Sequence, residues 1–128
     1  MKLVAWVAAS LAAAWLWDRC WFRLGLPESF RVGVAVPIGE ELLKYAVAAW
    51  GGLFLPLVSI LFGLGEGIYE TARSRERRDG VVLGVGLLTH AVFGAVYLLP
   101  FPKLWLLTAA TAVHIAWNCG VLSVKNSE

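Results

Sequence analysis

Charged residues are scarce in this chain of 128 residues, because Asp, Glu, Lys and Arg together make up only 16% of it. In a soluble domain about a quarter of the residues are usually charged and about half are apolar. Here 59% of the residues are hydrophobic and the mean hydropathy is +0.72. This scarcity of charge excludes an ordinary soluble domain and favours a protein of the membrane interior.

Cysteine is also scarce, with only Cys20 and Cys119, and the two do not lie at a metal-ligand spacing. We detect no internal repeat, no low-complexity segment and no second, soluble domain. The most basic segment has four arginines within residues 73–78, which are too few to indicate a nucleic-acid partner. The composition therefore predicts one integral membrane domain over residues 1–128.

The apolar residues fall into blocks of about the length that a helix needs to cross a bilayer, roughly 20 residues. The segments between them carry turn-forming or charged residues, LGLPES, GG, RSRERRDG and PFPK. Only helices satisfy their backbone hydrogen bonds locally in lipid. We therefore expect an all-α, polytopic bundle of about five transmembrane helices, over residues 3–22, 32–50, 53–72, 81–99 and 104–124.

The first block has two interpretations, because Lys2 and the apolar stretch after it also fit a secretory signal. Trp15, Trp17, Trp21 and Phe22 occupy the place where small residues would mark a cleavage site. Aromatic residues at this position are typical of a membrane–water interface. We interpret the block as an uncleaved first helix.

The distribution of Lys and Arg over the connections predicts the orientation. The side of the N-terminus receives Lys2 and Lys103. The opposite side receives Arg23, Arg31, Arg73, Arg75, Arg77, Arg78 and Lys125. Because positive charge accumulates on the cytoplasmic side, we expect a multi-pass protein of the cell membrane with its N-terminus outside and its C-terminus in the cytoplasm. Both cysteines then lie toward the reducing side, which argues against a disulfide.

The polar groups inside the blocks are few, and an ionisable residue in a membrane helix is a functional hypothesis by default. Within each block these residues are three or four positions apart, a spacing that places them on one face of a helix. The sets are Glu40, Glu41 and Lys44; Glu66 and Glu70; His90; and His114 with Asn118.

These groups also share a depth. Counted from the cytoplasmic end of each helix, most of them lie roughly 10–15 Å below that face at about 1.5 Å per residue. Polar residues scattered for structural reasons would have no cause to match in depth on four helices. The pattern predicts one polar cavity within residues 32–124 that is open to the cytoplasmic side.

The residue types in this cavity are those of a hydrolytic site. A glutamate in an apolar cavity can take a proton from water, while His and Asn side chains can stabilise an oxyanion. Glu66, His90 and His114 could instead hold Zn, as a set of two histidines and one carboxylate. The residues alone leave the metal-independent and the zinc-dependent forms open.

Structural interpretations are also available for single residues. The Glu41–Lys44 pair could be a buried ion pair that fixes helix register. Glu70 lies near the membrane edge, where Arg73 or Arg77 could pair with it. His90 alone is more often a hydrogen-bonded core histidine than a catalyst.

Four motifs resemble those of the PrsW-type intramembrane proteases, within the superfamily of CAAX-processing and bacteriocin-processing proteases. The sequence EELLK at 40–44 resembles their EExxK motif, and FGLGE at 62–66 resembles FxxxE. His90 resembles the third motif, and HIAWN at 114–118 resembles HxxWN. The basic residue of the first motif stands at position 44, as Lys44, and not at position 45, which is Tyr45. Glu66 stands where the wider superfamily has His. Both features favour the PrsW-type branch.

The resemblance implies a glutamate-dependent endopeptidase that cleaves membrane-anchored proteins, as in anti-sigma-factor processing, without a cofactor. It implies that Glu40 activates water with Glu66 or His90 nearby, and that His114 and Asn118 form the oxyanion hole. Glu41 and Lys44 would organise the site. Gly67 stands where the family usually has Asn, and a chain this short could need a homo-oligomer to close its cavity.

Two other functions fit the same cavity. The superfamily is thought to include a non-catalytic scaffold subunit of γ-secretase, so a membrane scaffold, chaperone or immunity-type protein is the alternative. An ion or proton carrier is the third. It would need a polar route to the outer face, where the blocks offer little beyond Thr108, Thr111 and Tyr97.

Overall fold

The structure is a computed structural model that describes residues 2–73 and 79–125 of the chain. Within these ranges every regular element is helical. The five long helices are α1 (Lys2–Arg23), α2 (Val36–Gly51), α3 (Leu55–Arg73), α4 (Asp79–Val96) and α5 (Lys103–Lys125). A helical turn at Glu28–Phe30 and a π-helical turn at Arg31–Ala35 lead directly into α2.

Glycine ends α2 at the break that the sequence predicts at residues 51–52. Gly52 adopts a left-handed φ of 62° after α2, and the N–H groups of Gly52 and Leu53 both donate to the carbonyl of Ala48. Glycine adopts this conformation without the steric cost that a Cβ would add. The fourth block ends earlier than expected, at Val96, because residues 97–99 form turns.

Helices α3 and α4 approach each other more closely than any other long pair. A Cβ on Gly63 would lie 2.5 Å from the Cβ of His90 and 2.7 Å from the carbonyl oxygen of Gly86, while a Cβ on Gly67 would lie 3.0 Å from Leu83. Gly63 and Gly67 therefore allow the two helices to pack closely. This contact brings His90 of α4 beside the face of α3 that carries Glu66.

The π-helical turn is the point at which α1 and α5 join α2. Trp17 of α1 donates its indole N–H to the carbonyl of Ala35 at 2.8 Å, and Asn118 of α5 donates to the carbonyl of Val32 at 3.0 Å. Arg31 also forms an ion pair with Asp18 of α1. These bonds fix the N-terminal end of α2, and with it the position of Glu40 and Glu41.

The distribution of polarity is inverted relative to a soluble domain. Lys44 and Glu41 are fully buried, whereas Trp50, Leu104 and Trp105 are each more than 70% exposed. Two helices, Lys2–Arg23 and Lys103–Val124, are long and apolar enough to cross a membrane, and Leu83–Val96 is a shorter apolar helix. The described part of the chain is therefore all-helical, with two candidate membrane spans.

Candidate functional site

Helix α2 carries the charged centre of the molecule. The spacing of its charged residues turns Glu40, Glu41 and Lys44 into the bundle, where all three are buried. The ammonium of Lys44 lies 2.6 Å from Oε1 of Glu41 and 3.9 Å from Oε2 of Glu40. Lys44 therefore forms a close ion pair with one of the two neighbouring glutamates and only a distant one with the other.

Glu41 accepts hydrogen bonds from α2, from α5 and from the turn that follows α4. Its Oε1 contacts Lys44 Nζ and also Nδ1 of His114 at 3.0 Å, and its Oε2 accepts the hydroxyl of Tyr97 at 3.1 Å. A buried carboxylate with three donors is well satisfied. Glu41 thus holds the His114 ring in place and has little capacity left to bind a water molecule.

His90 connects Lys44 to Glu66. Its Nδ1 lies 2.9 Å from Lys44 Nζ, and its Nε2 lies 2.7 Å from Oε2 of Glu66. Because an ammonium only donates hydrogen bonds, Nδ1 accepts, and the proton of a neutral ring is assigned to Nε2, which donates to the Glu66 carboxylate. This network fixes the tautomer of His90 and the position of Glu66 together.

Aromatic rings pack around these polar groups. Lys44 Nζ lies 4.6 Å from the ring centroid of Phe62, a distance at which the ring face attracts a cation. Phe93 stacks on the His114 ring, with centroids 4.3 Å apart and planes 25° from parallel. Both phenylalanines are buried, so their rings pack directly against the charged and imidazole groups.

Glu40 differs from its neighbour Glu41 in having unused hydrogen-bonding capacity. The residue is 5% exposed, and its Oε2 has no hydrogen-bond partner among the described residues. Nε2 of His114 lies 3.7 Å from Oε2 and Nζ of Lys44 lies 3.9 Å from it, both beyond hydrogen-bond distance. A buried carboxylate oxygen without a donor is costly, which is typical of an atom that has a chemical or binding role.

Glu40 faces a cavity of about 510 Å³ between α1, α2 and α3. Its apolar lining includes Leu11, Ala14, Trp15, Val36 and Phe62. Its polar lining comprises Asp18, Arg19, Glu40, Glu66, Tyr69 and Glu70. Glu40 and Glu66 are therefore accessible from the cavity, while Glu41, Lys44, His90 and His114 are not part of its lining.

Most of the side chains predicted from the sequence come together in this arrangement. Glu40, Glu41, Lys44, Glu66, His90 and His114 form one continuous set of contacts. Asn118 lies outside it, because its amide donates to the Val32 carbonyl instead of sharing an acceptor with His114. Glu70 is exposed at the cavity rim. The expected pairing of Glu70 with Arg73 or Arg77 involves side chains that lie outside the part of the chain that the structure describes.

Two contributions to the site were not predicted. Helix α1 supplies one wall of the cavity, including Asp18 and Arg19, although we had placed the site on the other four helices. Tyr97, expected only as a weak polar group near the outer face, donates to Glu41. The sequence does contain a sign of this contact. Tyr97 comes seven residues after His90, about two helical turns, so the two side chains point to the same side.

A metal-ligating set is present, but it differs from the expected one. One ligand atom from each of Glu40, His90 and His114 lies within 4.8 Å of the others. The expected carboxylate, Glu66, is bonded to His90 instead. The ammonium of Lys44 lies 2.9 Å from Nδ1 of His90 and 3.9 Å from Oε2 of Glu40, so it already supplies positive charge beside two of these three groups.

Comparison of the chain with protein-family models, with curated proteins and with solved structures gave no match. The function is therefore argued from the residues and their geometry.

Proposed function

We propose that all five helices cross a membrane, with the N-terminus outside and the C-terminus in the cytoplasm. Support comes from the apolar outer surface, the buried charges and the two helices that are apolar over a full membrane-spanning length. Helix α2 is short, with 16 residues, but the two helical turns before it extend the helical run from residue 28 to residue 51. The charged residues of α2 are directed inward, where they contact protein instead of lipid.

Within this bundle we propose a glutamate-dependent endopeptidase that hydrolyses membrane-anchored proteins. The observation that carries the proposal is Glu40, whose Oε2 is buried, has no hydrogen-bond partner among the described residues and belongs to a side chain lining the cavity. A carboxylate in this state is suited to bind a water molecule and accept its proton. Glu41, one residue away, is saturated by three donors and is less suited to that role.

In the proposed reaction, a water molecule on Glu40 attacks the carbonyl carbon of the scissile peptide bond. Glu40 accepts the proton that the water loses, and the carbonyl oxygen becomes an oxyanion. When the C–N bond breaks, the proton moves from Glu40 to the departing nitrogen. The products are a carboxylic acid and an amine, and Glu40 returns to its starting form. This sequence needs no group beyond water and the side chains of the chain.

His114 is the residue best placed to assist Glu40, since its Nε2 is 3.7 Å from Glu40 Oε2. With Nδ1 donating to Glu41, a neutral His114 ring presents a lone pair at Nε2, which can orient the attacking water. A protonated ring, stabilised by Glu41, would donate from Nε2 to the oxyanion. Asn118 acts in this proposal by anchoring α5 to the turn before α2, through its bond to Val32.

The test is cleavage of single-span peptides by the full chain reconstituted in vesicles. The variant Glu40→Gln keeps the shape of the side chain and removes the base, and we expect at least about a hundredfold loss of kcat. Glu28→Gln is the matched control, because Glu28 lies in the turn before α2 and outside the cavity lining. Cleavage at the wild-type rate by Glu40→Gln would refute the proposed role of Glu40.

A non-catalytic scaffold, chaperone or immunity-type protein is the second candidate. The observation that favours it is the mutual saturation of Lys44, Glu41 and His90, because satisfied buried networks also serve to fix a unique packing. This candidate predicts a bound partner and no turnover of any peptide. It also predicts that Glu40→Gln leaves partner binding intact as long as the network around Glu41 is retained.

A further inference from the structure

The cavity changes character along its length. Leu11 and Phe62 line it on the outer-facing part of α1 and α3, while Asp18 and Glu70 line it seven and eight residues further along the same helices. At about 1.5 Å per residue, this is a shift of roughly 10–12 Å from an apolar part to a charged rim. Helices α1 and α3 therefore run in the same direction past the cavity, and its rim lies toward the side that we propose to be cytoplasmic.

The charged part of the lining is mostly acidic. Four carboxylates, those of Asp18, Glu40, Glu66 and Glu70, line it together with one guanidinium, that of Arg19. Asp18 is paired with Arg31 and Glu66 with His90, while the Arg19 guanidinium lies over the Trp15 ring, 5.2 Å from its centroid. Glu40 is one-twentieth exposed and its Oε2 has no hydrogen-bond partner among the described residues. Together these features favour an occupant that brings a positive charge.

We propose that the cavity selects substrate segments with a Lys or Arg side chain on the cytoplasmic flank of the cleaved bond. The inference rests on the proposed function and names its substrate class. Glu66 and Glu70 are one helical turn apart, about 6 Å along α3. An extended peptide covers that distance in about two residues. A peptide bond held at Glu40 and Glu66 would therefore place the side chain two residues further toward the cytoplasm beside Glu70.

Membrane-anchored proteins supply such a residue regularly, because Lys and Arg accumulate at the cytoplasmic ends of their spans. The apolar part of the cavity, with Leu11, Trp15 and Phe62, would hold the end of the span itself. An ammonium can also come from a lipid headgroup, so the experiment separates a peptide cation from a lipid cation.

The experiment measures binding of single-span peptides to the full chain in vesicles of phosphatidylglycerol, by photo-crosslinking, and cleavage in parallel. One peptide has Lys two residues beyond the candidate bond, and its matched partner has Gln there. We expect the Lys peptide to bind about three- to fivefold more tightly, the range for one partly exposed ion pair. Glu70→Gln should abolish the preference, Glu70→Lys should reverse it toward a peptide with Glu, and Glu28→Gln should retain it.

Equal affinity for the Lys and Gln peptides in the wild-type chain, or a preference that survives Glu70→Gln, would overturn the inference. If phosphatidylethanolamine at about a third of the lipid removes the preference, the site binds lipid ammonium and the inference is equally overturned. The outcomes also separate the inference from the proposed function. Cleavage without preference leaves the peptidase and refutes the selection, whereas preference without cleavage leaves the selective cavity and refutes the peptidase.

Discussion

Nζ of Lys44 lies 2.9 Å from Nδ1 of His90, and both side chains are almost fully buried. This contact joins Lys44 of α2 to His90 of α4. The other ring nitrogen of His90, Nε2, contacts Glu66 of α3. The same ammonium pairs with Glu41, which in turn holds His114 of α5. Lys44 is therefore the residue on which the relative position of four helices depends.

Replacing Lys44 with Met should destabilise the bundle by about 3–5 kcal/mol, because the buried carboxylate of Glu41 would lose its counter-ion. Thermal unfolding in detergent measures the effect. Lys103→Met is the control, since Lys103 is exposed at the start of α5. The double variant Glu41→Gln with Lys44→Met should recover part of the loss, because the side chain at position 41 then carries no charge that needs a counter-ion. An unchanged midpoint for Lys44→Met would contradict the central role of this ion pair.

Replacing Gly63 with Ala should separate α3 from α4. The added Cβ would lie 2.5 Å from the Cβ of His90 and 2.7 Å from the backbone oxygen of Gly86, and a backbone atom cannot move aside cheaply. We expect a loss of about 1–3 kcal/mol in stability and reduced peptidase activity, because His90 would move relative to Glu66. Gly84→Ala, with no heavy atom within 4 Å of the new Cβ, should be neutral or stabilising by up to about 1 kcal/mol. Equal behaviour of the two variants would count against the close approach.

The helices and the grouping of polar residues could be predicted from the sequence because both follow from simple periodicities. Apolar blocks set the helix lengths, and the spacing of Glu40, Glu41 and Lys44 sets the face on which they lie. What the sequence left open was which of the two neighbouring glutamates faces the cavity. Successive residues differ by about 100° around a helix, and only the packed structure directs Glu41 to His114 and Glu40 to the cavity.

Other features depend on contacts between helices that no local pattern encodes. Asp18 and Arg19 lie near the end of the first apolar block and the sequence assigned them no role, but they line the cavity because α1 packs beside α2 and α3. Asn118 was expected to act with His114, since the two share a face. It bonds to Val32 instead, because the π-helical turn brings that carbonyl within its reach.

The proposed topology requires the two ends of the chain to lie on opposite sides of the membrane, since five spans are an odd number. A protease added outside intact cells should remove a tag from the N-terminus and spare the same tag at the C-terminus. After the membrane is permeabilised, both tags should be removed, which is the control for access. Both ends on one side would contradict five spans. Removal of the C-terminal tag with protection of the N-terminal tag would contradict the proposed orientation.

Replacing Tyr97 with Phe should remove one donor from the Glu41 carboxylate and leave those of Lys44 and His114. A hydrogen bond to a charged group contributes about 1.5–3 kcal/mol, and with two donors left we expect the lower end of this range. Because Glu41 orients His114, kcat should fall more than KM rises. Tyr69→Phe, at an exposed tyrosine, is the control for stability. A wild-type kcat in Tyr97→Phe would show that the third donor is dispensable.

Metal removal tests whether Glu40, His90 and His114 act as ligands or as acid–base groups. Their ligand atoms are close enough for a zinc ion. However, the Lys44 ammonium contacts His90 and lies 3.9 Å from Glu40, so a divalent ion would have to displace a buried cation. Coulomb repulsion between two cations at such a distance is large in a medium of low dielectric. We therefore expect cleavage to be unaffected by a chelator, and purified protein to contain far less than one zinc per chain.

A second variant makes the metal test decisive in both directions. Lys44→Gln removes the competing charge while leaving the three ligands in place, so zinc should bind this variant more tightly than the wild type, by isothermal titration. The double variant Lys44→Gln with His114→Ala, which lacks one ligand, should lose that gain. If the wild type instead loses activity with chelator and regains it with stoichiometric zinc, Glu40 would be a ligand, and the zinc-bound water would be the nucleophile. If neither protein binds zinc, Glu40, His90 and His114 do not form a zinc site, and the positive charge beside them is that of Lys44.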